Sequence, residues 1–190
     1  MRNNREATVE SRERIIASAA HMFRERGVAA VGIVEIMQKA GMTHGGFYKH
    51  FESKDALVAA ACSFAMAQSS ATLRRVAEKA RKGEELKAII DAYLTRAHRD
   101  NPGGGCALAA LGGEVGNGRS AAREALAEGR TKLIALIEQY WSGPDAKKHA
   151  AIVAATMVGA MVNARIANSK SADDILRAAR RALYREIAAS

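Results

Sequence analysis

The chain has 190 residues, 48% apolar and 26% charged, with 16 Gly and 2 Pro, a composition that buries a real core and excludes disordered and collagen-like chains. Its 29 Lys and Arg against 20 Asp and Glu leave a net charge of +9, which favours a polyanionic partner, either nucleic acid or an acidic membrane face. Only two cysteines, Cys62 and Cys106, are present; they exclude a disulfide-stapled secreted fold and offer no closely spaced pair for zinc, so no metal and no cofactor is expected.

Residues 1 to 14 are charged throughout and lack the apolar stretch of a signal peptide, so a reducing, cytoplasmic setting is expected. Apolar residues at three- and four-residue spacing between Gly and Pro breaks predict an all-α chain. The first helix runs from about Val9 to Arg26, with Ile15, Ile16, Ala19, Met22 and Phe23 on one face and Gly27 as its left-handed stop. Between Gly32 and Phe51 there is room for two short helices, Val34 to Ala40 and Thr43 to His50, joined at Gly41-Met42. That is helix-turn-helix spacing. Ser53 caps a long helix reaching about Ala80. Further helices are predicted at Glu84 to Arg99, Cys106 to Val115, Ser120 to Trp141, Asp145 to Asn168 and Ser171 to Ala188. The intervening breaks are Gly83, Asn101 to Gly105, Gly116-Asn117-Gly118, Ser142-Gly143-Pro144 and Asn168-Ser169-Lys170. The greasiest run, Ala150 to Ala164, is shorter than the roughly 20 residues that span a bilayer and reads as a buried helix.

A helix-turn-helix sets its second helix in the DNA major groove, where side chains at the helix start reach base edges and their neighbours hold phosphates. Thr43 would cap that helix, Gly45 and Gly46 would let the backbone approach the bases, and His44 would offer a donor or acceptor. Tyr48, Lys49, His50 and Lys54 would hold phosphates, with Phe47 and Phe51 facing the core. The competing reading of the two glycines is a weak loop, because local propensity does not select Gly in a helix.

The stretches Arg12-Glu13-Arg14-Ile15-Ile16, Phe23 to Gly27, Val34-Glu35-Ile36, Ala40-Gly41-Met42-Thr43, Gly45 to Phe51 and Ser53 to Leu57 together resemble the N-terminal domain of TetR family transcriptional regulators. The resemblance implies a helix-turn-helix DNA-binding domain in residues 1–52, with its recognition helix at about 43–50, and a helical ligand-binding and dimerisation domain in residues 53–190. It also implies a homodimer on a pseudo-palindromic operator in double-stranded DNA, and most often a repressor released when a small-molecule effector binds. Base contact then falls to His44 and Gly45 with Gly46 nearby, and phosphate contact to Thr43, Tyr48, Lys49, His50 and Lys54. Gly32 and Met42 depart from the pattern, standing where such proteins often carry Ser or Thr. Charge departs too. Residues 1–57 hold 9 Lys and Arg against 7 Asp and Glu, a net of +2, so +7 lies in the remainder.

In that remainder, the apolar, small-residue run 150–167 and the stripe Ile175, Leu176, Ala179, Leu183 and Ile187 suit a four-helix dimer face. Asp173 and Asp174 suit the dipole at the start of the last helix. Phe64, Tyr93, His98, Cys106, Trp141, Met157 and Met161 are candidate effector-pocket residues, although Met157 and Met161 also read as packing. Cys106 has two readings. It is a buried hydrophobe, or a thiol at a helix start whose pKa the free N–H groups lower and which answers oxidants or electrophiles. Cys62, among alanines, reads as inert packing. The rival functions are an enzyme and a basic module for a membrane or partner protein. His44 and His50 are spaced wrongly for a helical metal pair, Gly103 to Gly105 lacks the strand and Lys-Ser/Thr of a phosphate loop, and the membrane reading leaves Thr43 to Phe51 unused.

Overall fold

A computed structural model describes residues 2–117 and 120–188, so Gly118 of one predicted break lies outside the described residues. All regular structure among them is helical. Helix α1, Arg2–Arg26, starts earlier than predicted, with no Gly or Pro before Val9 to stop it. Its stripe Ile15, Ile16, Ala19, Met22 and Phe23 is buried as expected. Gly27 ends it with φ +83°, its N–H donating to the Phe23 carbonyl at 2.8 Å.

Helix α2, Ile33–Lys39, follows with Gly32 as a cap that makes no side-chain bond. The chain turns at Gly41, φ +73°, into a 3₁₀ helix, His44–Lys49. This corrects the predicted α-helix from Thr43 to His50. Thr43 sits at the cap position without a side-chain bond, and the carbonyls of Thr43 and Phe47 accept from Gly46 and His50 three residues on. Two adjacent glycines weaken α propensity, so the segment takes the tighter winding. Phe47 and Phe51 anchor it, both buried and stacked at 5.8 Å between ring centroids, with the Arg12 guanidinium 4.7 Å over Phe51.

Helix α3, Lys54–Lys79, begins at Ser53, whose Oγ accepts from the Ala56 N–H at 3.1 Å as predicted. It packs against α1 and against helices α4, Glu85–Tyr93, and α7, Ala121–Glu138, and so forms a spine common to head and body. The helix predicted from Glu84 to Arg99 is broken in two. α4 ends at Tyr93, and α5, Arg96–Asp100, restarts from Thr95, whose hydroxyl caps it by accepting from the His98 N–H at 3.1 Å. The carbonyls freed at the break are recovered, Tyr93 O by His98 Nδ1 and Leu94 O by Arg180.

A 3₁₀ turn, Pro102–Gly104, leads to Cys106, the cap of α6, Ala107–Val115. A Cβ on Gly103 would lie 2.5 Å from the His21 ring, and one on Gly105 would lie 2.8 Å from the His98 ring. The glycine run therefore lets this turn press against α1 and α5. Helices α8, Ala146–Ile166, and α9, Ser169–Ala188, pack on each other and, through α8, on α7. α3 and α8 are each long and apolar enough to cross a membrane, α8 with 21 residues lying within the predicted helix from Asp145 to Asn168. Both supply the core, α3 through Leu57, Ala61 and Ala65, and α8 through Val153, Met157 and Met161.

Candidate functional site

The 3₁₀ helix 44–49 lies on the surface, held from beneath by Phe47. His44, Gly45, Tyr48 and Lys49 are exposed, Tyr48 at 69%. Gly45 is informative because nothing inside the molecule requires it. Its φ lies outside the left-handed region, and a Cβ there would meet nothing within 4 Å. At Gly46 a Cβ would make only ordinary contact, 3.7 Å from the Met37 methyl. The fold therefore tolerates a side chain at Gly45, and its absence leaves an exposed backbone that an outside body can approach closely. His50 is half-buried, with Nδ1 unpartnered. Lys54 departs from the sequence expectation. Its Nζ turns inward and donates to the Val28 carbonyl at 2.7 Å, holding a loop.

That loop, between α1 and α2, is clamped from the body as well. Glu114, near the end of α6, accepts from the N–H groups of Val28 at 2.9 Å and Ala29 at 2.8 Å. A short rod, α6, thus has Cys106 at one end and the head's loop at the other. Sequence reasoning missed Glu114, since an exposed Glu in a Gly-Gly-Glu context carries no local signal of its partner 86 residues away.

The body holds a cavity of about 500 Å³ between α3, α4, α5 and the 102–105 turn, within the usual range for small-molecule sites. Of the seven predicted pocket residues, Tyr93 and His98 line it and Cys106 adjoins it next to Gly105. Phe64 is on the outer surface of α3, and Trp141 stacks on His149 at 4.6 Å. Met157 and Met161 are fully buried packing residues, and none of these four lines the cavity. Missed by the sequence reading is the polar face of α3, Gln68, Ser69, Thr72 and Arg75. Its signal was there: polar residues at positions 68, 72 and 75, four and three apart, share one face of the helix.

His98 orders this corner. Its Nε2 accepts from the Cys106 N–H at 3.0 Å, so the ring proton sits on Nδ1 and is donated to the Tyr93 carbonyl at 2.7 Å. Burial, helped by Arg165 and Arg24 and opposed by the Tyr93 bond, holds His98 below the usual histidine value and keeps this neutral tautomer. Cys106 is 1% exposed, and its own N–H is consumed by His98 rather than free. The Tyr93 hydroxyl is buried beside the Cys106 thiol without a well-formed hydrogen bond, and burial raises its pKa well above the ordinary phenol value. Burial likewise pushes the Cys62 thiol up to about 11, in keeping with inert packing.

Residues 15–61 match the family described as bacterial regulatory proteins, tetR family. An HTH-type transcriptional regulator of Bacillus subtilis, YerO, is 38% identical over 97 residues, 48% of this chain and 33% of that protein, so the match spans about a third of the relative's length. A regulator of Mycobacterium tuberculosis, Rv0196, is 29% identical over 170 residues, covering 82% of this chain and 84% of its own. The Escherichia coli repressor NemR is 26% identical over 141 residues, 72% of this chain and 69% of that one. Its reduced-form crystal structure shares the fold with a TM-score of 0.78 at 23% identity, over 91% of this chain and 94% of that one.

Proposed function

We propose, from the premise that this chain belongs to the TetR family of bacterial transcriptional regulators, that it is a cytoplasmic homodimeric repressor that leaves its operator when a small molecule enters the body. The observation that carries the DNA-binding part is Gly45, a bare backbone position on an exposed segment whose own fold leaves room for a side chain. The head, about residues 1–52, presents His44 and Gly45 to base edges with Gly46 behind them. Thr43, Tyr48, Lys49 and His50 face phosphates, and Lys54 acts through the loop that it holds. Two heads read half-sites about 34–36 Å apart, one helical turn, or a multiple of it. The second copy packs on α8 and α9, where Ile152, Val162 and Ile166 leave apolar surface exposed, Ile166 at 81%.

The coupling runs along α6. A ligand that moves the 102–105 turn moves Cys106 and, through Glu114, the loop that sets the head's angle. Selection of operators from random duplex DNA, followed by salt titration, tests the assignment. Tyr48→Ala is expected to weaken binding to all sequences alike, and His44→Ala to change base preference. Identical effects of the two substitutions would contradict the division of roles.

The effector is electrophilic or oxidising if Cys106 is its target. Cys106 follows Gly105 of the cavity wall and lies beside Tyr93, whereas the Cys62 thiol is held protonated by burial. Operator release on treatment with N-ethylmaleimide is then expected in the native chain and absent in Cys106→Ser. Equal release by both proteins would remove the thiol from the mechanism.

A further inference from the structure

The 500 Å³ cavity is asymmetric in charge. No Asp or Glu lines it; one guanidinium stands in its wall and two more are bonded to wall residues. Arg75 stands at the wall, bonded only to neutral acceptors, the Ala71 carbonyl at 3.3 Å and the Thr72 hydroxyl at 3.2 Å. Arg24, 5% exposed, lies behind the wall; it donates to the Gly105 carbonyl at 2.7 Å and the Gln68 side chain at 3.3 Å, both cavity residues, and to the Ala20 carbonyl at 2.9 Å. Arg165 reaches the His98 carbonyl at 3.3 Å, and its buried Nε is unpartnered. Among the described residues no carboxylate pairs with any of the three. Asp100 and Asp173 do not line the cavity and are engaged elsewhere, Asp100 by Arg99 and Asp173 by Arg96 and Arg99.

A desolvated guanidinium without a counter-ion is costly, and its neutral partners offset only part of that cost. Burial accordingly lowers the pKa of both Arg24 and Arg165. The Tyr93 side chain lines the cavity too, while its hydroxyl is buried behind the wall beside the Cys106 thiol and unpartnered. We infer that the ligand of this cavity is a small organic anion, a carboxylate, whose charge is met by Arg75 in the wall with Arg24 and Arg165 behind it. Bidentate guanidinium recognition suits that group, and the Thr72, Thr95 and Asn101 side chains supply further polar contacts. This rests on the regulator reading and gives its effector a chemical class. It also gives Arg24 a role: a guanidinium on α1 that grips the cavity wall at Gln68 and Gly105 loosens that grip when a stronger acceptor arrives.

Calorimetric titration of the full chain with matched probes tests it: benzoate, cinnamate and octanoate, their amides, and benzylamine, cinnamylamine and octylamine. At least one carboxylate is expected to bind ten times more tightly than its amide and amine, to weaken operator binding, and to lose at least tenfold in affinity in Arg75→Glu, a substitution at an exposed position that the fold accommodates. Amides or amines binding as well as the acids, no carboxylate binding, or an Arg75→Glu protein that binds the carboxylate undiminished would each overturn the inference. The regulator reading fails separately, if the ligand-free protein selects no operator at all.

Discussion

Leucine in place of Gly45 is expected to reduce operator affinity at least a hundredfold while leaving the melting temperature no lower than that of the native chain. A hundredfold loss corresponds to about 2.8 kcal/mol, and the dimer meets the obstruction at both half-sites. The two halves of the expectation have separate causes. Inside the molecule a side chain at position 45 meets nothing within 4 Å and no positive φ resists it. At the groove, the same atoms would occupy the space into which the backbone must move. Gly45→Ala sharpens the contrast, because at a compatible φ it should stabilise the head by about 0.4–1 kcal/mol through the unfolded chain, while still weakening DNA binding. Native operator affinity in the leucine variant, measured by gel shift, would sink the interface proposed for 43–50.

The second large effect concerns Glu114. Removing its carboxylate by Glu114→Ala leaves the Val28 and Ala29 N–H groups to solvent. Charge-assisted hydrogen bonds contribute about 1.5–3 kcal/mol each when shielded. This pair is exposed, so about 1.5 kcal/mol for both together, or roughly tenfold, is the appropriate scale. Hydrogen exchange at those two amides is expected to speed up about tenfold on that account, with operator affinity falling in parallel. Glu114→Gln retains one acceptor and should recover part of both. Unchanged exchange at Val28 and Ala29 would mean that the clamp does not hold the head, and the coupling route through α6 would fall with it.

Some of this was legible before any coordinates. The buried stripe of α1, the stop at Gly27, the Ser53 cap and the inward Phe47 and Phe51 follow from spacing and from residue chemistry that acts over one or two turns. The break at Leu94-Thr95 was not, because Thr95 competes as a cap only once His98 and Arg180 are in place to take the freed carbonyls. The 3₁₀ winding of 44–49 was half legible, since the paired glycines announced weak α propensity without saying what would replace it. The pocket was read from residue type alone, which gathered Phe64 and Trp141 with Tyr93 and His98. The two aromatics went elsewhere because a large apolar side chain satisfies itself wherever packing offers area, whereas His98 is fixed by directional bonds to Tyr93 and Cys106.

Sequence by itself determined that this protein is helical and that it carries a helix-turn-helix near its start, since each depends on neighbours within a few positions. Tertiary structure alone decided that Lys54 turns in to Val28, that Glu114 reaches the same loop from the body, and that a cavity with Arg75 in its wall and no acid in its lining is backed by Arg24 and Arg165. Those contacts join residues tens of positions apart, and their energies come from burial and direction, quantities that exist only after the chain has closed on itself.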